Sequence, residues 1–269
     1  MAYAVSSSRI YLFLDKQENG LPLMSPVSPS SGTASSAAGS PTILIIGASR
    51  GLGHALAAEF LKKGWNVVGT VRDGSRRTLL HELAEAHPGR VAIEVLDICE
   101  PDQIAALDDR LAGRIFDILF VNAGTTNRDP TQTIGEVSTD DFVHLMITNA
   151  LSPMRVIERL AHRVGPKGLI GVMSSGQGSI ANNENGQREL YRGTKAALNM
   201  FMRSFAARQA GTSRALVVMA PGWVRTDLGG PEAPLTIDES IPGLVNVLLA
   251  KQSRPGLEYL DYRGRTVPW

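Results

Sequence analysis

The stretch TILIIGASRGLG, residues 42–53, decides the fold of this 269-residue chain. Its first five residues form a continuous apolar run, which is typical of a strand buried on both faces of a parallel sheet. A glycine-rich turn at 47–53 follows, and residues 52–63 then show helical spacing, with Leu56 and Phe60 four apart. A buried strand, a tight turn and a helix in this order predict the start of a βαβ unit.

The same alternation of apolar runs and helical patterns continues through the rest of the chain. Strictly alternating strands and helices form a parallel sheet with helices on both faces, so we predict an α/β fold with a doubly wound parallel sheet, the Rossmann fold. We expect the further strands at 65–71, 91–96, 115–121, 168–173, 216–219 and 257–262. We expect the further helices at 76–86, 102–112, 139–163, 191–209 and 238–250.

Residues 25–41 differ in composition from the sequence that follows them. They are almost entirely Ser, Pro, Ala, Gly and Thr, with a single large apolar side chain. Such a segment cannot bury enough surface to offset the entropy of ordering it. We therefore predict a disordered N-terminal extension at 1–40 and one catalytic domain at 41–269. Met24 is a plausible true initiator; the alternative is that residues 9–14 form a short docking peptide.

Composition argues against several classes of function. The 27 basic and 26 acidic side chains give a net charge of +1, which creates no field that would attract nucleic acid or a membrane. No apolar run reaches the roughly 18 residues of a membrane-spanning helix. Cys99 is the only cysteine, which fits a reducing compartment, and we expect a cytoplasmic protein. The five histidines are scattered without a ligand motif, so we predict no metal site.

The glycine-rich turn predicts a dinucleotide site. Its spacing is GxxxGxG rather than GxGxxG, but glycines at these places still permit a tight turn and a close approach of the backbone to a pyrophosphate. The free N–H groups and positive end of the following helix favour an anion. The candidate residues of this turn are Gly47, Ser49, Arg50, Gly51, Leu52 and Gly53.

The end of the second predicted strand bears on the choice between NADP and NAD. Enzymes that prefer NAD usually carry an acidic residue there, which binds the ribose 2′-hydroxyl. Here Arg72 follows the strand and Arg50 lies in the glycine turn, so two guanidinium groups could bind a 2′-phosphate. Asp73 could orient Arg72 or take the hydroxyl itself. We expect NADP(H), with NAD(H) as the weaker alternative.

Tyr191 and Lys195 are the predicted catalytic pair. They open a predicted helix at i and i+4, on one face. The tyrosine pKa is ordinarily about 10, and a nearby ammonium group, together with a positive nicotinamide ring, would lower it. Ser174 and Ser175 end the fifth predicted strand, at the edge where parallel sheets bind ligands, and could hold the substrate oxygen.

Taken together, these motifs resemble the short-chain dehydrogenase/reductase family over essentially all of residues 41–269. GASRGLG at 47–53 matches the glycine motif, Asn122-Ala123-Gly124 the NAG motif, YRGTK at 191–195 the YxxxK motif, and Pro221-Gly222 the motif after the sixth strand. PGWVRTDLGG at 221–230 and LDYRGRTVPW at 260–269 resemble the carbonyl-reductase subgroup that includes Sniffer and C-factor.

The resemblance implies a role for each matching residue. Tyr191 would donate a proton to the carbonyl, and Lys195 would bind the nicotinamide ribose and depress the pKa of Tyr191. Ser175 would hydrogen-bond the substrate oxygen, and Asn149 would hold a water against Lys195. The nucleotide residues that it implies are Asp97 and Ile98 at the adenine, Asn122, Ala123 and Gly124 at the adenosine ribose, and Pro221, Gly222, Val224 and Thr226, the last of these at the carboxamide.

The sequence therefore predicts an oxidoreductase that transfers hydride from NADPH to the carbonyl of a small aldehyde or ketone, in a reversible alcohol dehydrogenase reaction. The alternative is an NADP(H)-binding redox-sensing or signalling protein with little turnover. The substrate depends on the segments 176–190 and 227–240, which sequence reasoning cannot fold. The family also leaves a homodimer, a homotetramer and a monomer open.

Overall fold

Seven apolar runs form one parallel sheet in the computed structural model, which describes residues 39–269. The strand order is β3-β2-β1-β4-β5-β6-β7, and every neighbouring pair is parallel. The strands are Thr42–Ile46 (β1), Asn66–Val71 (β2), Val91–Val95 (β3), Phe116–Val121 (β4), Val164–Met173 (β5), Ala215–Ala220 (β6) and Gly256–Asp261 (β7). The predicted doubly wound parallel sheet is confirmed.

Within residues 39–269, seven α-helices connect or follow these strands. They are Gly51–Lys62 (α1), Leu79–Ala86 (α2), Pro101–Arg110 (α3), Thr139–Met146 (α4), Ser152–Leu160 (α5), Glu189–Arg208 (α6) and Ile237–Lys251 (α7). The long helix predicted at 139–163 is observed as one continuous helical segment, but it is not uniformly α-helical, because a π-helical turn at Ile147–Leu151 lies between α4 and α5. A 3-10 turn at Ala161–Arg163 follows α5.

The buried side chains of β1 alternate between the two faces of the sheet. Leu44 and Ile46 belong to the core cluster that packs under α3, α5 and α6, whereas Ile43 and Ile45 belong to the cluster that packs under α1 and α7. Burial on both faces explains why the sequence of β1 is continuously apolar rather than alternating. The strand order reverses between β1 and β4, and a crevice for ligands is expected at their carboxyl ends.

Residues 39–269 form one compact unit. In this part of the chain no helix combines the length and apolar character needed to cross a membrane. The predicted disorder of the N-terminal extension, the role of Met24 and the docking peptide at 9–14 lie outside the described residues.

Candidate active site

The predicted catalytic residues converge on the carboxyl edge of β4 and β5. Ser175 follows β5 directly, and Tyr191 and Lys195 lie in the first two turns of α6. Asn149 lies in the π-helical turn between α4 and α5. Tyr191, Lys195 and Asn149 are all buried.

Lys195 is held against the main chain of β5. Its side chain is only 4% exposed, and Nζ donates a hydrogen bond of 3.0 Å to the carbonyl of Met173. Burial lowers the pKa of Lys195 to about 8. A Cβ placed on Gly124 would lie 3.4 Å from this Nζ and 3.3 Å from Oδ1 of Asn149, so both side chains approach the same backbone position. Glycine at 124 keeps the space between them open.

Tyr191 has a pKa raised by burial, which is the largest influence on it. The Ser175 side chain and the positive charge of Arg188 act in the opposite direction. The sequence led us to expect that Lys195 would lower the pKa of Tyr191. In the structure the Lys195 ammonium lies 5.8 Å from the centre of the tyrosine ring and donates to Met173 instead. The nearby cation that favours the phenolate is Arg188, which sequence reasoning did not identify.

Asn149 links the end of β4 to α6. Its Nδ2 donates to the carbonyl of Thr125 at 2.9 Å and to Oγ1 of Thr194 at 3.1 Å, and its Oδ1 accepts from the amide of Thr125 at 2.8 Å. These bonds occupy both side-chain donors. Asn149 is thus fixed by protein contacts. Only its Oδ1 can accept a further hydrogen bond, on the side of Gly124 where Lys195 lies.

The two serines after β5 differ in their surroundings. Ser174 is buried and donates to Oδ1 of Asn199 at 2.7 Å. Ser175 is half-buried, and its Oγ accepts from the amide of Gln177 at 3.1 Å, which leaves its proton available as a donor. The hydroxyl that can reach a substrate is therefore that of Ser175.

Hydrogen bonds from Tyr259 and Asn199, which sequence reasoning missed, fix the backbone around Ser175. The Tyr259 hydroxyl, on β7, donates to the Ser175 carbonyl. Asn199 donates from Nδ2 to the carbonyl of Gly178 at 3.1 Å. Asn199 could have been found, because it follows Tyr191 and Lys195 at successive intervals of four on α6. Tyr259 carries no local signal of this kind.

The glycine turn between β1 and α1 is closed by short contacts. Asn122 donates from Nδ2 to the carbonyl of Gly47 at 2.8 Å, and Oγ1 of Thr70 accepts from the amide of Gly47 at 2.8 Å. A Cβ on Gly53 would lie 2.0 Å from that same carbonyl oxygen. Gly47 and Gly51 have φ of +87° and +56°, which only glycine adopts freely.

The N-terminus of α1 has the features of a pyrophosphate-binding site. Arg50 is at the N-cap position but makes no side-chain capping bond, and the first turn holds no acidic residue. A Cβ on Gly51 would meet nothing within 4 Å in the described part of the chain, so the backbone there faces open space. An uncapped helix N-terminus in open space fits an anionic ligand, with the amides of Gly51, Leu52 and Gly53 as donors.

The two arginines predicted to bind a 2′-phosphate are both exposed. Nη1 of Arg50 lies 3.3 Å from Asp227, and Arg72 borders a cavity beyond the end of β2. Asp73 does not pair with Arg72: it accepts from Ser75 at 2.6 Å and lies 3.3 Å from Arg76. These contacts keep Asp73 turned toward its own loop.

The other predicted nucleotide residues lie at the ends of β3, β4 and β6. Asp97 Oδ1 accepts from the amide of Cys99 at 2.9 Å, and Ile98 is buried. The amides of Asn122 and Ala123 both donate to the carbonyl of Ile46. Four further residues of the set lie in the segment between β6 and α7; they are Pro221, Gly222, Val224 and Thr226. Across residues 39–269 no group of three or more His, Cys, Asp or Glu side chains could hold a metal ion.

The chain is similar in sequence and in structure to known proteins. A profile described as short chain dehydrogenase matches residues 41–234. A short-chain dehydrogenase/reductase of Burkholderia multivorans, solved with bound NADP, is 75% identical with a TM-score of 0.85. A carbonyl reductase of Pseudomonas aeruginosa PAO1 in complex with NADP is 34% identical with a TM-score of 0.79. Carbonyl reductase Sniffer of D. melanogaster is 26% identical with a TM-score of 0.75. Each match covers 86% of this chain and 100% of the relative.

Proposed function

The chain belongs to the short-chain dehydrogenase family, as its motifs predicted, and from this premise we propose that it is an NADPH-dependent reductase of small aldehydes or ketones. The observation that carries the proposal is the convergence of Ser175, Tyr191 and Lys195 at one edge of the sheet, two of them buried on one face of α6. The similarity to the carbonyl reductases of Pseudomonas aeruginosa and D. melanogaster supports a carbonyl substrate for this chain.

NADP(H) is the proposed nucleotide. The Burkholderia multivorans relative, at 75% identity, was solved with NADP bound. In this chain the amides at the start of α1 would hold the pyrophosphate, and Arg50 and Arg72 would hold the 2′-phosphate. Asp97 and Ile98 would contact the adenine, the segment 122–124 the adenosine ribose, and the segment 221–226 the nicotinamide end. The bound nucleotide supplies the hydride.

Tyr191 acts as the proton donor to the carbonyl oxygen. Because burial raises its pKa, the phenol stays protonated at neutral pH, which is the form that reduction requires. The Ser175 hydroxyl holds the substrate oxygen and, with the charge of Arg188, stabilises the phenolate that remains after proton transfer. Lys195, which the Met173 carbonyl holds in place, would bind the nicotinamide ribose. Asn149 fixes the neighbouring loop at Thr125.

The proposal is tested with Tyr191→Phe, which removes only the hydroxyl. We expect carbonyl reduction to fall by about 10²- to 10⁴-fold, the usual contribution of a general acid, while NADPH affinity measured by fluorescence titration stays within about threefold. Tyr262→Phe is the matched control, since the half-buried Tyr262 makes no side-chain hydrogen bond within the described residues.

Reduction by Tyr191→Phe at a rate close to the wild-type rate would contradict the role of Tyr191. A second result bears on the alternative reading. If the wild-type protein binds NADPH tightly but oxidises it with no member of a broad panel of aldehydes, ketones and diketones, a redox-sensing protein becomes the better account.

A further inference from the structure

Arg188 has an unusual backbone conformation for an arginine. It is the residue before α6, with φ 60° and ψ 42°, and it is the only non-glycine residue of the described chain with a positive φ. The left-handed region costs a residue with a Cβ roughly 1–2 kcal/mol. Such strain persists where the surrounding structure over-determines it, and it is concentrated at ligand sites.

The Arg188 side chain lies against the proposed proton donor. Its guanidinium carbon is 5.3 Å from the centre of the Tyr191 ring, within the range of a cation–π contact. On the other side, Nη2 makes a long contact of 3.4 Å to Oγ1 of Thr126, in the loop that follows β4. The guanidinium therefore lies between the tyrosine and the loop that Asn149 holds.

The hydrogen-bonding capacity of Arg188 is largely unused. Its Nε is buried and has no partner, and no carboxylate of the described residues lies within 4.0 Å of the guanidinium. Arg163 shows the ordinary arrangement for a guanidinium removed from water, because it pairs with Asp108 at 2.7 Å. A buried donor left unpaired costs roughly 1–3 kcal/mol. Arg188 thus combines a strained backbone, a charge with no carboxylate partner and an unpaired buried donor, over the ring of Tyr191.

We propose that Arg188 binds an oxyanion of the substrate, so that the preferred substrates are carbonyl compounds that carry a carboxylate or a phosphate a few bonds from the carbonyl. The inference rests on the proposed function and names its substrate class. The planar guanidinium presents paired donors that match either oxyanion bidentately. Since the guanidinium lies over the ring of Tyr191, the anionic group and the carbonyl must be close together in the substrate.

The test compares matched substrates in the presence of NADPH. We would measure kcat/KM for 2-oxo, 3-oxo and 4-oxo acids and for their methyl esters, with a hydroxyketone phosphate and its free alcohol as the phosphate pair. Arg188→Gly removes the charge while keeping the left-handed backbone free of strain, and Arg188→Lys keeps a charge without the fork. Arg208→Ala, an exposed arginine on the same helix that pairs with Glu158, is the control.

In the wild-type protein we expect the anionic member of at least one pair to be preferred by tenfold or more. Arg188→Gly should lower kcat/KM for that anion by about 10- to 100-fold, mainly through KM, because a charge-assisted hydrogen bond is worth about 1.5–3 kcal/mol. The neutral partner should lose only the common factor that comes from the Tyr191 phenolate, through kcat, so the ratio of kcat/KM for the anion to kcat/KM for its neutral partner should fall about tenfold or more. Arg188→Lys should recover part of the preference, and Arg208→Ala should leave both rates unchanged.

Two results would overturn the inference alone. One is turnover of the neutral members without any preference for the anions. The other is a parallel fall for acid and ester in Arg188→Gly, which would mean that Arg188 only positions Tyr191. NADPH consumption with no member of any pair would overturn the reductase assignment itself, and the inference with it.

Discussion

Lys195 carries its charge inside the protein, and Lys195→Met measures the cost of that burial. Burial lowers the pKa of Lys195 from 10.5 to about 8. Between these two values the unfolded chain keeps a proton that the folded protein has released. The unfolded state therefore binds more protons in this window, and the free energy of unfolding rises with pH from about 8 to about 10.5.

The size of the effect follows from the two pKa values. From pH 7 to pH 9 the difference in proton binding contributes about 1.4 kcal/mol to the wild-type free energy of unfolding, a factor of about ten in the unfolding equilibrium. Met at position 195 has no proton to release. The wild-type protein should therefore gain about 1.4 kcal/mol relative to Lys195→Met over this interval. Loss of the hydrogen bond to the Met173 carbonyl affects the variant at both pH values and largely cancels.

Urea unfolding of the nucleotide-free protein at pH 7 and pH 9 provides the measurement. Lys167→Met is the control: Lys167 is exposed, so the stability difference between that variant and the wild type should be the same at both pH values. The reasoning is refuted if the difference between wild type and Lys195→Met changes by less than about 0.5 kcal/mol, or changes in favour of the variant.

Two further substitutions test parts of the fold that support the site. Gly53→Ala should lower the free energy of unfolding by about 2 kcal/mol or more and weaken NADPH binding, because the new Cβ would lie 2.0 Å from the Gly47 carbonyl oxygen. Gly135→Ala, whose Cβ would meet nothing within 4 Å, is its control in thermal unfolding and fluorescence titration, and equal stability of the two variants would contradict the argument. Tyr259→Phe should cost about 1–3 kcal/mol in urea unfolding and lower kcat with little change in NADPH affinity, since the Ser175 carbonyl loses its donor. An unchanged kcat would remove Tyr259 from the support of Ser175.

The elements with the clearest local signals were predicted closely. The helix expected at 52–63 is observed at Gly51–Lys62, because a continuous apolar strand and a glycine turn fix where it begins. β5 was expected at 168–173 but begins at Val164. Its first residues include Gly165, Pro166 and Gly168, which are typical of a turn. Val164 pairs with Phe116 and Leu169 with Ile118, so the residues between Val164 and Leu169 form an irregularity in the pairing with β4. Sequence patterns do not register such long-range pairing.

In the candidate site, too, residues within local sequence motifs were predicted, and their surroundings were not. The family motifs supplied the chemistry-bearing side chains of α6 and the loops, but the surroundings of those side chains depend on packing. The acidification of Tyr191 by Lys195 and a nicotinamide ring stays a prediction, and the sequence contains no measure of the burial that raises the pKa of the phenol in the protein alone. Arg188 was missed because an arginine in the amino-acid sequence gives no sign of a left-handed backbone conformation. Tyr259 approaches Ser175 from a strand 84 residues further along the chain.

The π-helical turn at Ile147–Leu151 sets α4 and α5 out of phase with each other. An ordinary α-helix advances about 100° per residue, so one inserted residue rotates everything after it by that angle. Deleting a single residue from this turn would let the segment wind as one α-helix, with the backbone hydrogen-bond pattern interrupted only at Pro153, which has no N–H. Asn149 would then swing away from Thr125, while the apolar side of α5 would leave the core. In this segment, therefore, the number of residues is under stricter constraint than their identity.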